Sequence, residues 1–170
     1  MKDFEFYVTN KLIRKQLSDI NLAKATAKDS VERLKLSKDI KDTQKPKYAL
    51  ENAYESIREL IDAILYLDGY KSYTHEGSIA YLKIIGFSEK EIMDIDRLRV
   101  LRNKIKYYGE NVSKEDAEKA IKTAEDINKN LIKIKPILKD KEDKIQKIKI
   151  GLNKNEDTSK DKNTIKKDNA

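Results

Sequence analysis

The stretch RLRVLRNKIKYYG, residues 97–109, packs five cations and two tyrosines into thirteen positions. Arg99, Asn103 and Tyr107 follow one another at i, i+4 and i+8, and Arg102 and Lys106 at i, i+4. On a helix these spacings make two columns of neighbours, and near the helix end the two can converge on one ligand. The residue types suit phosphate: a guanidinium offers a planar fork, an amide fixes orientation, and a phenol stacks or hydrogen-bonds. Cations in a last helical turn also complement the macrodipole. Spacing alone therefore leaves two readings, a phosphate site and a solvated helix end.

Other chemistries fall away quickly. Cysteine is absent, which removes disulfides, thiolate nucleophiles and Cys-ligated metals. His75 is the only histidine, so the His75-Glu76 pair cannot complete an HExxH zinc site. A Ser-His-Asp triad would have only His75 to use, and no nucleophile elbow accompanies it. No metal and no cofactor are expected. The formal net charge of +7 and pI of about 9.2 give a surface that attracts polyanions. The opening MKDFEFYVTNKL lacks the apolar core of a signal peptide, and no run approaches the roughly 18 apolar residues of a membrane span. The expectation is a cytoplasmic chain with no membrane partner.

The elements that would position the motif are helices. Charged residues make up 39% of the chain against 38% hydrophobic, and Gly and Pro number only 5 and 2. Thin amphipathic helices with few turns follow. Ile20, Ala23, Ala27, Val31 and Leu34 predict a first helix from about Thr9 to Asp39. Pro46, suited to a first helical turn, opens a second that ends at Asp68-Gly69. Thr74 can cap a short connector helix that stops near Gly86. Ser88-Glu89-Lys90-Glu91 reads as a capping box for the third long helix, with Ile92, Ile95, Leu98, Leu101, Ile105 and Tyr108 as its core stripe. Tyr66, Tyr70, Tyr73 and Tyr81 gather around the connector and are expected to pack the bundle end with hydroxyls toward water. Ser113 starts a fourth helix with Ala117, Ile121, Ala124, Ile127, Leu131 and Ile134 inward, ended or kinked by Pro136. The predicted fold is all-α: an up-and-down four-helix bundle over residues 1–136 with a short additional connector helix. A marginal helical extension over 137–150 and a disordered polar, basic C-terminal tail over 151–170 would follow.

Arg102-Asn103-Lys104-Ile105-Lys106-Tyr107 resembles the motif of the HEPN superfamily, the higher-eukaryote and prokaryote nucleotide-binding domain. Its usual form is Arg, four to six residues, then His, often with a polar residue directly after the Arg. ALENAYESIRELIDAILYLDGYKSYTHEGSIAYL, residues 49–82, resembles the second helix and connector of archaeal-type members, and the likeness extends over roughly residues 10–135. The resemblance implies a homodimer in which the motifs of two subunits face each other across a cleft. In active members the His helps move a proton from a ribose 2′-hydroxyl, which attacks the adjacent phosphate without metal, while the Arg stabilises charge. Carried over, Arg102 takes the Arg role and Asn103 the polar neighbour, and the His position falls on Tyr107. A phenol with a reference pKa near 10 is almost fully protonated at neutral pH and makes a poor general base. Arg99, Lys106 and Tyr108 would add phosphate or RNA contacts.

The family's arrangement also leads us to expect a polar residue on the second helix facing the motif, with Glu55 or Arg58 the candidates. The favoured reading for each is a solvated face, where Arg58 and Asp62 can pair at i, i+4. His75 precedes the connector helix, nothing in the sequence ties it to Arg102, and it reads as a cap or packing residue. HEPN proteins are often encoded beside a minimal nucleotidyltransferase, some of which attach AMP to a tyrosine just after the motif His. Gly109 stands at that spacing here, so this carry-over fails there, leaving only Tyr107 and Tyr108 nearby.

The favoured expectation is a HEPN-type homodimer binding RNA or nucleotide phosphate, the toxin-like or ribonuclease-related half of a nucleotidyltransferase pair. The alternatives are a metal-independent endoribonuclease that keeps its activity, and a non-catalytic dimerisation or partner-binding bundle.

Overall fold

The computed structural model describes residues 1–130. The expected positions Leu131, Ile134 and Pro136, the 137–150 extension and the 151–170 tail lie outside the described residues. The order is α1 (Phe4–Thr9), β1 (Ile13–Lys15), α2 (Ile20–Ile40), α3 (Pro46–Leu67), β2 (Tyr70–Ser72), α4 (His75–Ile84) and α5 (Glu89–Tyr108). A further helix, α6, runs over 114–130. The all-α bundle is as expected, with one small ribbon added: β1 pairs antiparallel with β2 in the register Ile13↔Ser72, Arg14↔Lys71, Lys15↔Tyr70.

The single helix expected from Thr9 to Asp39 is corrected at its start. Lys11 takes a left-handed φ of 60°, which breaks the chain after α1 and turns it into β1. The Asp19 carboxylate caps α2 by accepting from the Leu22 N–H at 2.9 Å. Its inward stripe is also different. Val31 is 60% exposed, and the buried residues are Ala23, Ser30 and Ser37. Small residues at seven-residue spacing let α2 lie close against α3. Ser30 Oγ donates to the Ser56 carbonyl at 2.7 Å and Ser37 Oγ to the Ala49 carbonyl at 2.8 Å, so both buried hydroxyls are satisfied.

α3 is the central element. Leu50, Ile57, Ile61, Ile64 and Leu65 are buried along a wide arc of its circumference. It stops at Gly69, whose φ is +75° and whose imagined Cβ would sit 2.7 Å from the Gln16 carbonyl oxygen. Only glycine fits there, because the segment after β1 crosses directly over the turn. The chain then forms β2 and enters α4, whose N-cap Thr74 accepts from the Gly77 N–H at 3.1 Å. Of the connector tyrosines, Tyr73 is exposed, but Tyr81 is buried and its hydroxyl donates to the Asp68 carboxylate.

α5 carries the full capping box at Ser88 and Glu91 and ends on Gly109 at φ 66°. Its buried line is Ile92, Ile95, Leu98, Arg102 and Ile105. Two expected core positions are therefore corrected: Leu101 is only half-buried, and Tyr108 is 84% exposed. A guanidinium takes the inward place because α3 supplies a carboxylate to meet it. α6 begins at Ser113, whose Oγ accepts from the Asp116 N–H at 3.1 Å, and buries Ala117, Ala120, Ile121, Ala124 and Ile127. Glu125 pairs with Lys38 of α2 at 2.6 Å. Among the described residues no helix is long and apolar enough to cross a membrane.

Candidate functional site

Arg102 is 9% exposed. Its Nη2 donates to Glu55 Oε1 at 2.6 Å and its Nη1 to Asn103 Oδ1 at 3.2 Å. Its Cζ lies 5.9 Å from the centroid of the Tyr54 ring, within cation–π range. Its Nε is buried with no hydrogen-bond partner.

Glu55 joins this arginine to a second. Its Oε2 accepts from Arg58 Nε at 2.6 Å. Arg58 Nη1 donates to Asp62 Oδ2 at 2.6 Å, and Asp62 Oδ1 accepts from Ser78 of α4 at 2.9 Å. On the α2 side, Arg33 Nε donates to Glu59 Oε1 at 2.6 Å and Arg33 Nη1 to Asn52 Oδ1 at 3.3 Å. The second oxygen of Glu59 is buried without a partner. Three guanidiniums thus face three carboxylates around α3, and the excess charge of the chain lies elsewhere.

Burial pushes the Glu55 carboxyl up, but the hydrogen bond and charge of Arg58, with the charge of Arg102, hold it below the usual carboxylate range. At Asp62 burial wins over Arg58 and Ser78, and its pKa is raised. Burial tends to lower Arg58, but its bond to Glu55 and the charges of Asp62 and Glu55 keep it raised. Burial, reinforced by Glu55, also raises the Tyr54 phenol and keeps it protonated.

A cleft of 150 Å³ opens on this network, lined by Arg33, Glu51, Asn52, Glu55, Arg102 and Lys106. α2, α3 and α5 each contribute to its wall. The structure therefore brings together Arg102, Asn103, Glu55 and Arg58, and sets Lys106 at the same cleft. It does not bring the other expected residues there. Arg99 faces a separate group, with Nε on Asp96 at 2.7 Å and Nη1 on Glu76 at 2.5 Å. Tyr107 and Tyr108 stand 67% and 84% exposed at the helix end. For Glu55 and Arg58 the solvated-face reading is corrected: their side chains are 14% and 29% exposed and fully engaged.

Several neighbours were not legible as site residues. Arg33, Asn52 and Tyr54 drew no functional reading from the sequence, and Asp62 was read only as a surface partner of Arg58. His75 read as a cap or packing residue, yet its Nδ1 lies 2.7 Å from the Tyr54 hydroxyl. Its pKa is lowered, first by burial and then by Arg58 and Arg102, against the opposing pull of Glu55. Among the described residues, no three His, Cys, Asp or Glu side chains are grouped so as to hold a metal ion.

A buried Arg–Glu pair placed on the core line of α5 is not an economical way to stabilise a bundle. A family model for the HEPN domain matches residues 23–135. The chain belongs to the HEPN domain family. The match begins in the first turn of α2 and runs through α6, so it contains both halves of the Arg102–Glu55 pair. A search of curated proteins found no match.

Proposed function

We propose that this HEPN chain binds RNA or nucleotide phosphate at the Arg102 cleft and works as a homodimer. The observation that carries the reading is a guanidinium nine-tenths buried on the core line of α5, with one N–H unanswered, on the wall of a cleft that also holds Arg33, Asn52 and Lys106. Buried charge is costly unless used, and a fork held by Glu55 and supported on Tyr54 is already oriented for an anion. Lys106 and Arg33 supply charge at the rim, and Asn52 supplies an amide.

The dimer is supported by α5 itself. Met93, Val100 and Tyr107 recur every seven residues and are 53%, 41% and 67% exposed. This apolar stripe lies on the outer face of α5, away from the buried Arg102 line, and offers a surface on which a second copy could pack. Tyr107 in the motif's His position removes the usual proton-transfer group, which favours binding over cleavage. A nucleotidyltransferase partner, and a toxin-like role beside it, belong to the same reading.

The test is retention of structured RNA by wild type, Arg102→Lys and Arg102→Ala, with cleavage in EDTA followed through 2′,3′-cyclic phosphate ends. Binding by wild type that falls at least tenfold in both variants is expected, because lysine replaces a planar fork with a point charge. Equal binding by all three would overturn the reading. Cleavage by wild type alone would establish the endoribonuclease alternative instead.

A further inference from the structure

The feature that the Arg102 cleft leaves unexplained is His75. It is the first residue of α4 and the chain's only imidazole. Tyr54, 1% exposed, sits between it and the arginine. The guanidinium of Arg102 rests over the tyrosine's ring, and the tyrosine's hydroxyl meets His75 Nδ1, with the two rings only 7° from coplanar. One buried aromatic side chain thus fixes both groups.

The Tyr54 phenol stays protonated and engages His75 Nδ1, which leaves Nε2 as the free ring nitrogen, a donor in one tautomer and an acceptor in the other. A place in the first turn of a helix further disfavours imidazolium. Tyr54, Glu55 and Arg58 face the ring from α3 and Arg102 from α5, with Glu76 beside it on α4. Nε2 has no hydrogen-bond partner among the described residues and is not fully buried.

His75 is not on the wall of the 150 Å³ cleft; it lies on the α4 side of the Arg102–Glu55 pair. A ligand that touched both would have to extend across that pair. We infer that His75 Nε2 is a second contact point of the Arg102 site, and that the ligand spanning both is a single RNA strand rather than one nucleotide. This rests on the RNA-binding reading above. A strand that places one phosphate at Arg102 offers a further phosphate, and a ribose hydroxyl that can donate or accept, to the free ring nitrogen beyond it, which a mononucleotide does not.

A single histidine makes the test clean. The ring nitrogens of His75 in the full, tag-free chain are followed by NMR against a uridylate octamer and against UMP. The octamer is expected to shift the Nε2 signal and raise the His75 pKa, because a phosphodiester stabilises imidazolium. His75→Gln should weaken the octamer about tenfold, the size of a charge-assisted hydrogen bond, and leave UMP within about twofold. Tyr54→Phe, which keeps the ring but frees Nδ1, should shift the balance of the two ring nitrogens' signals. If the octamer binds, and Arg102→Ala abolishes that binding, while no His75 signal moves, the inference fails and the Arg102 site stands. If the octamer does not bind wild type at all, the RNA-binding reading fails and the inference with it.

Discussion

Arg99 and Arg102 lie three residues apart on α5, and the comparison separates two uses of the same side chain. Arg99 has carboxylates on two of its nitrogens, from Asp96 and Glu76, and lines no part of the Arg102 cleft. Arg102 has one carboxylate, an unanswered Nε, an aromatic face beneath it and a cleft in front. Arg99 is closed by its partners. Arg102 is held but incompletely answered, which is what the proposed phosphate contact builds on. Number of cations and helical spacing do not distinguish the two; the partners contributed by α3 and α4 do.

The comparison is broken most severely at Arg102. Arg102→Ala leaves Glu55 half-answered in a buried setting and should destabilise the fold by about 3 kcal/mol in urea denaturation, besides abolishing RNA retention. Arg99→Ala removes a pair whose carboxylates are about one-third exposed. It should cost about 1 kcal/mol in the same assay and change RNA affinity by less than about threefold. A loss of RNA binding equal to that of Arg102→Ala would erase the distinction.

A third prediction concerns pH. The folded His75 pKa lies below its ordinary value, so the unfolded chain takes up this proton first as pH falls. Stability is therefore complete above about pH 6.5 and declines below it. The raised pKa of Asp62 works the other way, favouring the fold as pH drops. Comparing the melting temperatures of wild type and His75→Gln at pH 5 and pH 8 isolates the histidine: the variant should lose less on acidification. The smallest effect belongs to Tyr108→Ser, at an exposed position, which should shift stability by less than about 0.5 kcal/mol. A larger change would mean that the helix end is covered in solution.

Much of the frame was legible because its signals are local. Pro46, Gly69, Ser88, Gly109 and Ser113 mark starts and stops through their own caps and dihedrals, and the structure keeps each of them. The α2 stripe was misread because its inward residues are serines, which an apolar search passes over; they matter as small donors to α3 carbonyls. The β1–β2 ribbon was missed because three-residue strands joined across 55 positions leave no periodicity to read. Arg102 was identified by its motif, but its inward direction was not, since a helical wheel of apolar residues puts Leu101 in that place. His75 was invisible as a neighbour for the same reason as the ribbon: both depend on a meeting of distant segments.

The ribbon has one more consequence. An imagined Cβ on Gly77 would meet Thr74 Oγ1 at 2.8 Å and the Ile13 and Ser72 side chains at 3.1 Å, so the first turn of α4 is clamped against both strands. β1 lies ahead of residue 23, where the family match begins. The portion shared with the family therefore contains the arginine, its carboxylate, Tyr54 and β2, while one half of the ribbon, β1 with Ile13, comes from outside it. A chain trimmed to the matched residues would leave β2 as an unpaired edge and open the Ile13 side of the α4 turn, so kinship and packing draw the domain's border in different places.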